Sequence, residues 1–160
     1  MSKVFIAAIA ALCIPAAGYA QTSQQCATVT EEQVAGLFDR WNASLQTGNP
    51  DEVVNNYAPG AVLLPTVSNK PRTNPAEIRD YFVHFLAKHP RGAIDSRTIH
   101  LGCNDAFDVG TYTFTVTDAD GKESQVPARY SFVYELRDGK WLIAHHHSSA
   151  MPEKAAASAH

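Results

Sequence analysis

Apolar residues recur every three or four positions from Val34 through Leu37, Phe38, Trp41 and Leu45, which is the spacing that puts one stripe along an α-helix. Thr30-Glu31-Glu32-Gln33 ahead of that run reads as a capping box, and Gly48 ends it. Asn49-Pro50 offers a cap and a first-turn proline to a second, short helix that runs to about Tyr57 and stops at Pro59-Gly60. Ala61 to Leu64 is a short apolar run bounded by Pro65 and predicts a strand. Asn74-Pro75 then opens a third helix, with Ile78, Tyr81, Phe82, Phe85 and Leu86 on one face and an end near Pro90. Beyond it the period changes to two. Ser96 to Leu101, Ala106 to Thr117, Gln125 to Leu136 and Lys140 to His147 are rich in β-branched and aromatic residues, with Asp120-Gly121 and Asp138-Gly139 as turns. Three helices followed by an antiparallel meander predict an α+β domain.

The first residues follow another logic. Met1-Ser2-Lys3, the apolar run Val4 to Ala17 and Gly18-Tyr19-Ala20 have the layout of a signal peptide cut after Ala20, with a core too short to span a bilayer. The expected organisation is a signal peptide over 1–20, an extension over 21–29, one domain over 30–152 and a disordered Ala-rich tail over 153–160. About 140 residues remain after cleavage, the size of one domain. The cut removes one lysine from 13 Lys and Arg, leaving 12 against 16 Asp and Glu and a net charge of −4. Without a basic stripe to release counterions, nucleic acid is excluded as a partner. No basic segment follows the apolar run to hold the chain in a membrane, so a secreted or periplasmic location is expected. Cleavage also removes Cys13. Cys26 and Cys103 remain, an even pair that an oxidising compartment favours as a disulfide, with two buried free thiols as the alternative.

The stretch from Asp138 to Ser149, DGKWLIAHHHSS, followed by Pro152, resembles the closing strand of the association (hub) domain of calcium/calmodulin-dependent protein kinase II. Arg129-Tyr130-Ser131-Phe132-Val133 stands where that domain has its arginine-bearing strand. Tyr57 to Pro65, YAPGAVLLP, is similar to the helix-to-strand junction of the wider nuclear transport factor 2-like superfamily. The resemblance spans residues 28–152. It implies a cone-shaped fold, three N-terminal helices packed on a curved antiparallel sheet with a deep pocket at one end, and pairing into dimers or rings. Kinase activity and calmodulin binding are not implied, because the kinase domain and regulatory segment are missing. Secreted bacterial proteins of this type also carry an SgcJ/EcaC oxidoreductase label, but no glycine-rich dinucleotide fingerprint supports it and no cofactor is expected.

By the same resemblance Arg129 lines the pocket and meets a small carboxylate, unless an internal acid such as Glu135 pairs it. Arg97 shares parity with Ile99 and Leu101 and reaches the same cavity if that face points inward. Two arginines there would favour a carboxylate, which the guanidinium fork binds through two bonds. His145 and His147 share a face of the last strand, with one at the pocket mouth; no third ligand is placed for a metal. Nor is Asp118-Ala119-Asp120-Gly121 a calcium loop, since Arg129 stands at the twelfth position. Tyr81 and Tyr112 add polar tips to an aromatic wall. Tyr130, Phe132 and Tyr134 form an aromatic stripe of opposite parity to Arg129, expected at a homodimer interface, with an inner-core stripe and an outward Arg129 as the alternative.

Two functions follow. One is a non-catalytic module that binds a small organic anion and associates with itself. The other is a small cofactor-independent isomerase, dehydratase or hydrolase, which requires an inward Asp or Glu as base. Asp105, Asp108, Asp118, Asp120 and Asp138 are read as turn residues, and Glu135, Asp95 and Asp39 as marginal candidates, so no such base is evident.

Overall fold

A computed structural model describes residues 25–152. The expected signal peptide over 1–20 and the expected tail over 153–160 lie outside the described residues. Helix α1 spans Glu31–Gln46 and begins with the capping box: Thr30 Oγ1 accepts from Gln33 N at 3.2 Å and Gln33 Oε1 accepts from Thr30 N at 2.9 Å. Its buried face is Val34, Phe38, Trp41 and Leu45. Helix α2 is Pro50–Val54, shorter than the expected run to Tyr57. Asn56 is the cause. Its amide turns back onto the carbonyls of Glu52 and Val53 and onto Ser44 Oγ, all at 3.1 Å, and the next residue already belongs to strand β1, Tyr57–Leu64. Helix α3 is Pro75–Leu86, capped by Asn74 and buried along Ile78, Tyr81, Phe82 and Leu86.

Four strands follow, β2 (Arg91–Leu101), β3 (Asp105–Thr117), β4 (Glu123–Arg137) and β5 (Lys140–Ala150). They form one sheet of order β1-β5-β4-β3-β2. The meander is antiparallel, but β1 joins β5 in parallel, so the sheet is mixed. Strand β2 starts earlier than expected because Asn42 of α1 grips it: Asn42 donates to Gly92 O and accepts from Gly92 N, both at 2.9 Å. A bulge between Ile94 and Ser96 bends β2 over Gly110, where a Cβ would meet Ser96 O at 2.0 Å. Cys26 and Cys103 are joined by a disulfide that ties the segment before α1 to the β2–β3 connection, and Ala27 N donates to Asn104 Oδ1 at 2.8 Å beside it. Among the described residues no helix is long and apolar enough to cross a membrane.

Register decides which side of the sheet faces the helices. Cross-strand rows run Asp108, Phe132, His146, Leu63 and Gly110, Tyr130, Ser148 on the inner face. Tyr130, Phe132 and Tyr134 therefore point into the core, 3%, 0% and 0% exposed, against Phe38 and Trp41. This corrects the expected dimer interface: three large rings gain more from burial against α1 than the sheet's other face offers. That other face carries Arg129, Ser131, Val133, His145 and His147.

Candidate binding site at the open end of the sheet

The inner face becomes polar toward the end where β1 runs into Pro65. Tyr112 donates to Ser148 Oγ at 2.6 Å, and Ser148 Oγ is also hydrogen-bonded to Thr66 Oγ1. One row deeper, Trp41 Nε1 donates to Tyr57 OH at 3.1 Å, and Tyr57 OH lies 2.9 Å from His146 Nδ1. The indole can only donate, so the phenol oxygen accepts from Trp41, and the imidazole tautomer sets the direction of its bond with Nδ1. On the other side of the ring, His146 Nε2 is buried with no protein partner. Burial pushes its pKa down to about 3, with the neighbouring His145 and His147 acting the same way. Burial likewise raises the phenols of Tyr57, Tyr81 and Tyr112, so all three stay protonated.

Trp41, Thr66, Tyr81, Tyr112, His146 and Ser148 line a cavity of about 10 Å³, on the order of one water. Thr66, Phe85 and Phe114 lead from it to an apolar space of about 50 Å³ walled by Val116, Val126 and Ala128. Tyr81 and Phe85 also border a surface groove of about 390 Å³ that holds Ser68, Arg72, Asp80, His84 and Lys88. Arg72 is largely buried there. It donates to Asp80 Oδ2 at 2.9 Å, lies 6.0 Å from the Tyr81 ring centre and leaves its Nε without a partner. A polar, net cationic groove thus adjoins an apolar space across Val67, Phe85 and Lys88, an arrangement that fits a small molecule with an acidic head and a hydrophobic body. A cleft of about 680 Å³ between α1, α2 and the β4–β5 turn is larger. Its arginine, Arg40, is already spent on Asn56 Oδ1 and Trp141 O at 3.0 and 2.7 Å, and none of the unpartnered buried groups lines it.

The expected ligand residues do not meet in one place. Tyr81 and Tyr112 line the inner cavity. Arg97 also points inward, but onto Asp108, with Nε 3.1 Å from Oδ2. Arg129 is exposed on the outer face, where it shares a groove of about 300 Å³ with Ser131, His147 and Ser149. This corrects its inward placement: it pairs in register with Thr111 and Ser149, and alternation sends it away from Tyr130. Glu135 does not pair with it, being held by Arg137 at 2.5 Å. His145 is half-buried on that same outer face, and burial lowers its pKa.

Four groups escaped the sequence reading: Asp108, His146, Arg72 and Ser148. Asp108 is not a turn residue; it sits inside β3, fully buried, and burial raises its pKa against the pull of Tyr130 and Arg97. Its parity with Ala106, Tyr112 and Phe114 was the available signal. Arg72 had none, because a loop residue has no period.

A family model for the calcium/calmodulin dependent protein kinase II association domain matches residues 30–152. A solved structure from Xanthomonas campestris, named for that association domain, is 56% identical, covers 81% of this chain and 96% of its own, and superposes with a TM-score of 0.76. Two more distant structures share the fold. A nuclear transport factor 2-like protein from Salmonella enterica is 16% identical, with 81% and 96% of the two chains covered and a TM-score of 0.66. A candidate dehydratase of the same fold from Streptomyces avermitilis is 11% identical, with 76% and 97% covered and a TM-score of 0.68. No curated protein matches the sequence. With most of its length matched by the model and a relative at 56% identity, the chain belongs to the calcium/calmodulin dependent protein kinase II association domain family.

Proposed function

We propose that this protein is a secreted, self-associating module that binds a small organic anion at the open end of the sheet and performs no covalent chemistry on it. The observation that carries the reading is that the groove of Arg72, His84 and Lys88 and the neighbouring apolar space share Val67, Phe85 and Lys88 as walls. Aromatic and branched-chain carboxylates suit it: the head faces the cations, and the body covers Phe85 and Phe114.

Self-association is assigned to a second copy of this chain on the outer sheet face, which suits a member of an association-domain family. That face exposes Phe107 by 39%, and half-buried Val109 and Val133 lie beside it. Arg129 and His147 border it, offering a second, shallower place for an anion. The Cys26–Cys103 disulfide agrees with an oxidising compartment.

Thermal shift with benzoate and short branched carboxylates tests the ligand, with wild type beside Arg72→Ala and Arg129→Ala, since a ligand that binds the native state raises stability by mass action. At a hundredfold excess over Kd the gain is about 2.7 kcal/mol. A shift lost in Arg72→Ala and kept in Arg129→Ala supports the groove; the reverse moves the anion to the outer face, and no shift with any acid overturns anion binding. Light scattering tests association, and a single-chain mass for the wild type overturns it. One observation favours the alternative of a small enzyme, the inward carboxylate of Asp108; turnover of a neutral substrate that Asp108→Asn abolishes would establish it.

A further inference from the structure

Asp108 is the centre of a second interior polar group, separate from the groove. It lies directly across from Phe132, so Tyr130 and Tyr134, two residues to either side, are its diagonal neighbours on the inner face. Tyr130 donates to Asp108 Oδ1 at 2.8 Å, and Arg97 Nε donates to the same oxygen at 3.2 Å. The Arg97 guanidinium rests over Phe38, 5.6 Å from the ring centre, and its side chain keeps 24% exposure, a route to solvent.

Three polar atoms of this group remain without a hydrogen bond though buried: Arg97 Nη2, the Tyr134 hydroxyl and Asp108 Oδ2, which meets Arg97 Nε only as an ion-pair contact at 3.1 Å. Buried polar atoms in folded proteins are nearly always satisfied, and each one left alone loses the hydrogen bonds water gave it. The set is specific in what it accepts. Arg97 can only donate, an ionised Asp108 can only accept, and Tyr134 can do either. A guest must therefore accept from Arg97 and donate to Asp108 through a compact group. A free anion is repelled by Asp108 and a free cation by Arg97, so the guest is neutral.

We propose that Arg97, Asp108 and Tyr134 form a binding site for one hydroxyl oxygen, of water or of a small alcohol. The oxygen accepts from Arg97 Nη2 and from the Tyr134 hydroxyl and gives its proton's hydrogen bond to Asp108 Oδ2. This site does not depend on the anion groove. It also places, beside the one fully buried carboxylate described, the reagent that a hydrolytic activity would need.

A crystal structure of the wild-type protein, grown without alcohols and compared with a crystal soaked in methanol, tests the site. One oxygen peak within hydrogen-bond reach of all three atoms is expected in the first. Carbon density attached to that oxygen after the soak identifies a site open to alcohols, and an unchanged peak identifies a water site. No peak in either crystal, or the three atoms bonded directly to one another, overturns the proposal. In solution, cross-relaxation between a long-lived water and the surrounding aromatic protons is expected in the wild type. Tyr134→Phe removes one of the oxygen's three partners and should shorten that residence at least tenfold, while an unchanged residence also overturns the site.

Discussion

Protonating His146 should undo much of the fold's stability. The buried imidazole holds a pKa of about 3 in the native chain, against 6.5 for an unperturbed histidine. The unfolded chain therefore takes the proton first as pH falls. The contribution is fully present above pH 6.5 and drains away as pH drops toward 3, at up to 1.36 kcal/mol per pH unit. Over the whole interval this comes to about 5 kcal/mol, comparable to the entire stability of many domains. Guanidinium unfolding followed by tryptophan fluorescence, with Trp41 packed 5.2 Å from the imidazole, can be run at pH 7, 6, 5 and 4 on wild type and His146→Gln. The variant lacks the titrating ring. Its deficit at pH 7 should shrink by roughly 2–3 kcal/mol between pH 6 and 4. Asp108, whose pKa is raised by burial, works in the opposite direction, gaining relative stability as pH falls, but it does so in both proteins and cancels in the comparison. Parallel pH slopes for the two proteins, or an imidazole of His146 titrating near 6.5 in the folded chain by NMR, would refute the reasoning.

Removing the disulfide by Cys26→Ser with Cys103→Ser frees a link across 77 positions, which the loop-entropy relation values at about 4.5 kcal/mol. Denaturant unfolding should show most of it, and a loss under 1 kcal/mol would mean that the segment before α1 is already fixed by its other contacts. Gly110→Ala puts a methyl 2.0 Å from the Ser96 carbonyl oxygen, so β2 must move; calorimetry should show a loss of about 1–3 kcal/mol, and an unchanged Tm would show that the bulge yields freely. Thr30→Ala removes the Oγ1 that accepts from Gln33 N, leaving only the backbone bond to Gln33 Oε1, and should cost about 1 kcal/mol, read from the same scans.

The helices and strands were legible because their signals are local. Thr30, Asn49 and Asn74 each cap where the sequence places them, and the period of two beyond Pro90 is carried by side chains that do alternate between two environments. What alternation leaves open is which environment is inside. The parity that separates Arg129 from Tyr130, Phe132 and Tyr134 was correct, and burial of the three rings settles the side: α1 presents Phe38 and Trp41 to meet them. Asp108 was misread as a turn residue although the predicted strand Ala106 to Thr117 contains it, because an acid is costly to bury; Tyr130 and Arg97, on the two strands that flank β3, explain how it stays inside. Arg72 and Thr66 reach the site from a loop, where no period exists to find them.

The parallel contact between β1 and β5 also fixes the order in which the molecule can be finished. Tyr57 pairs with Ile143 and Leu63 with His146, so the first strand made has its lateral neighbour in the last. A ribosome delivers these partners more than eighty residues apart, and contacts of such separation are slow to form. Until β5 arrives, β1 remains an unsatisfied edge, the kind of surface on which partly folded chains aggregate. Truncation before β5 should therefore leave both ends of the domain unfinished, not just its C-terminus.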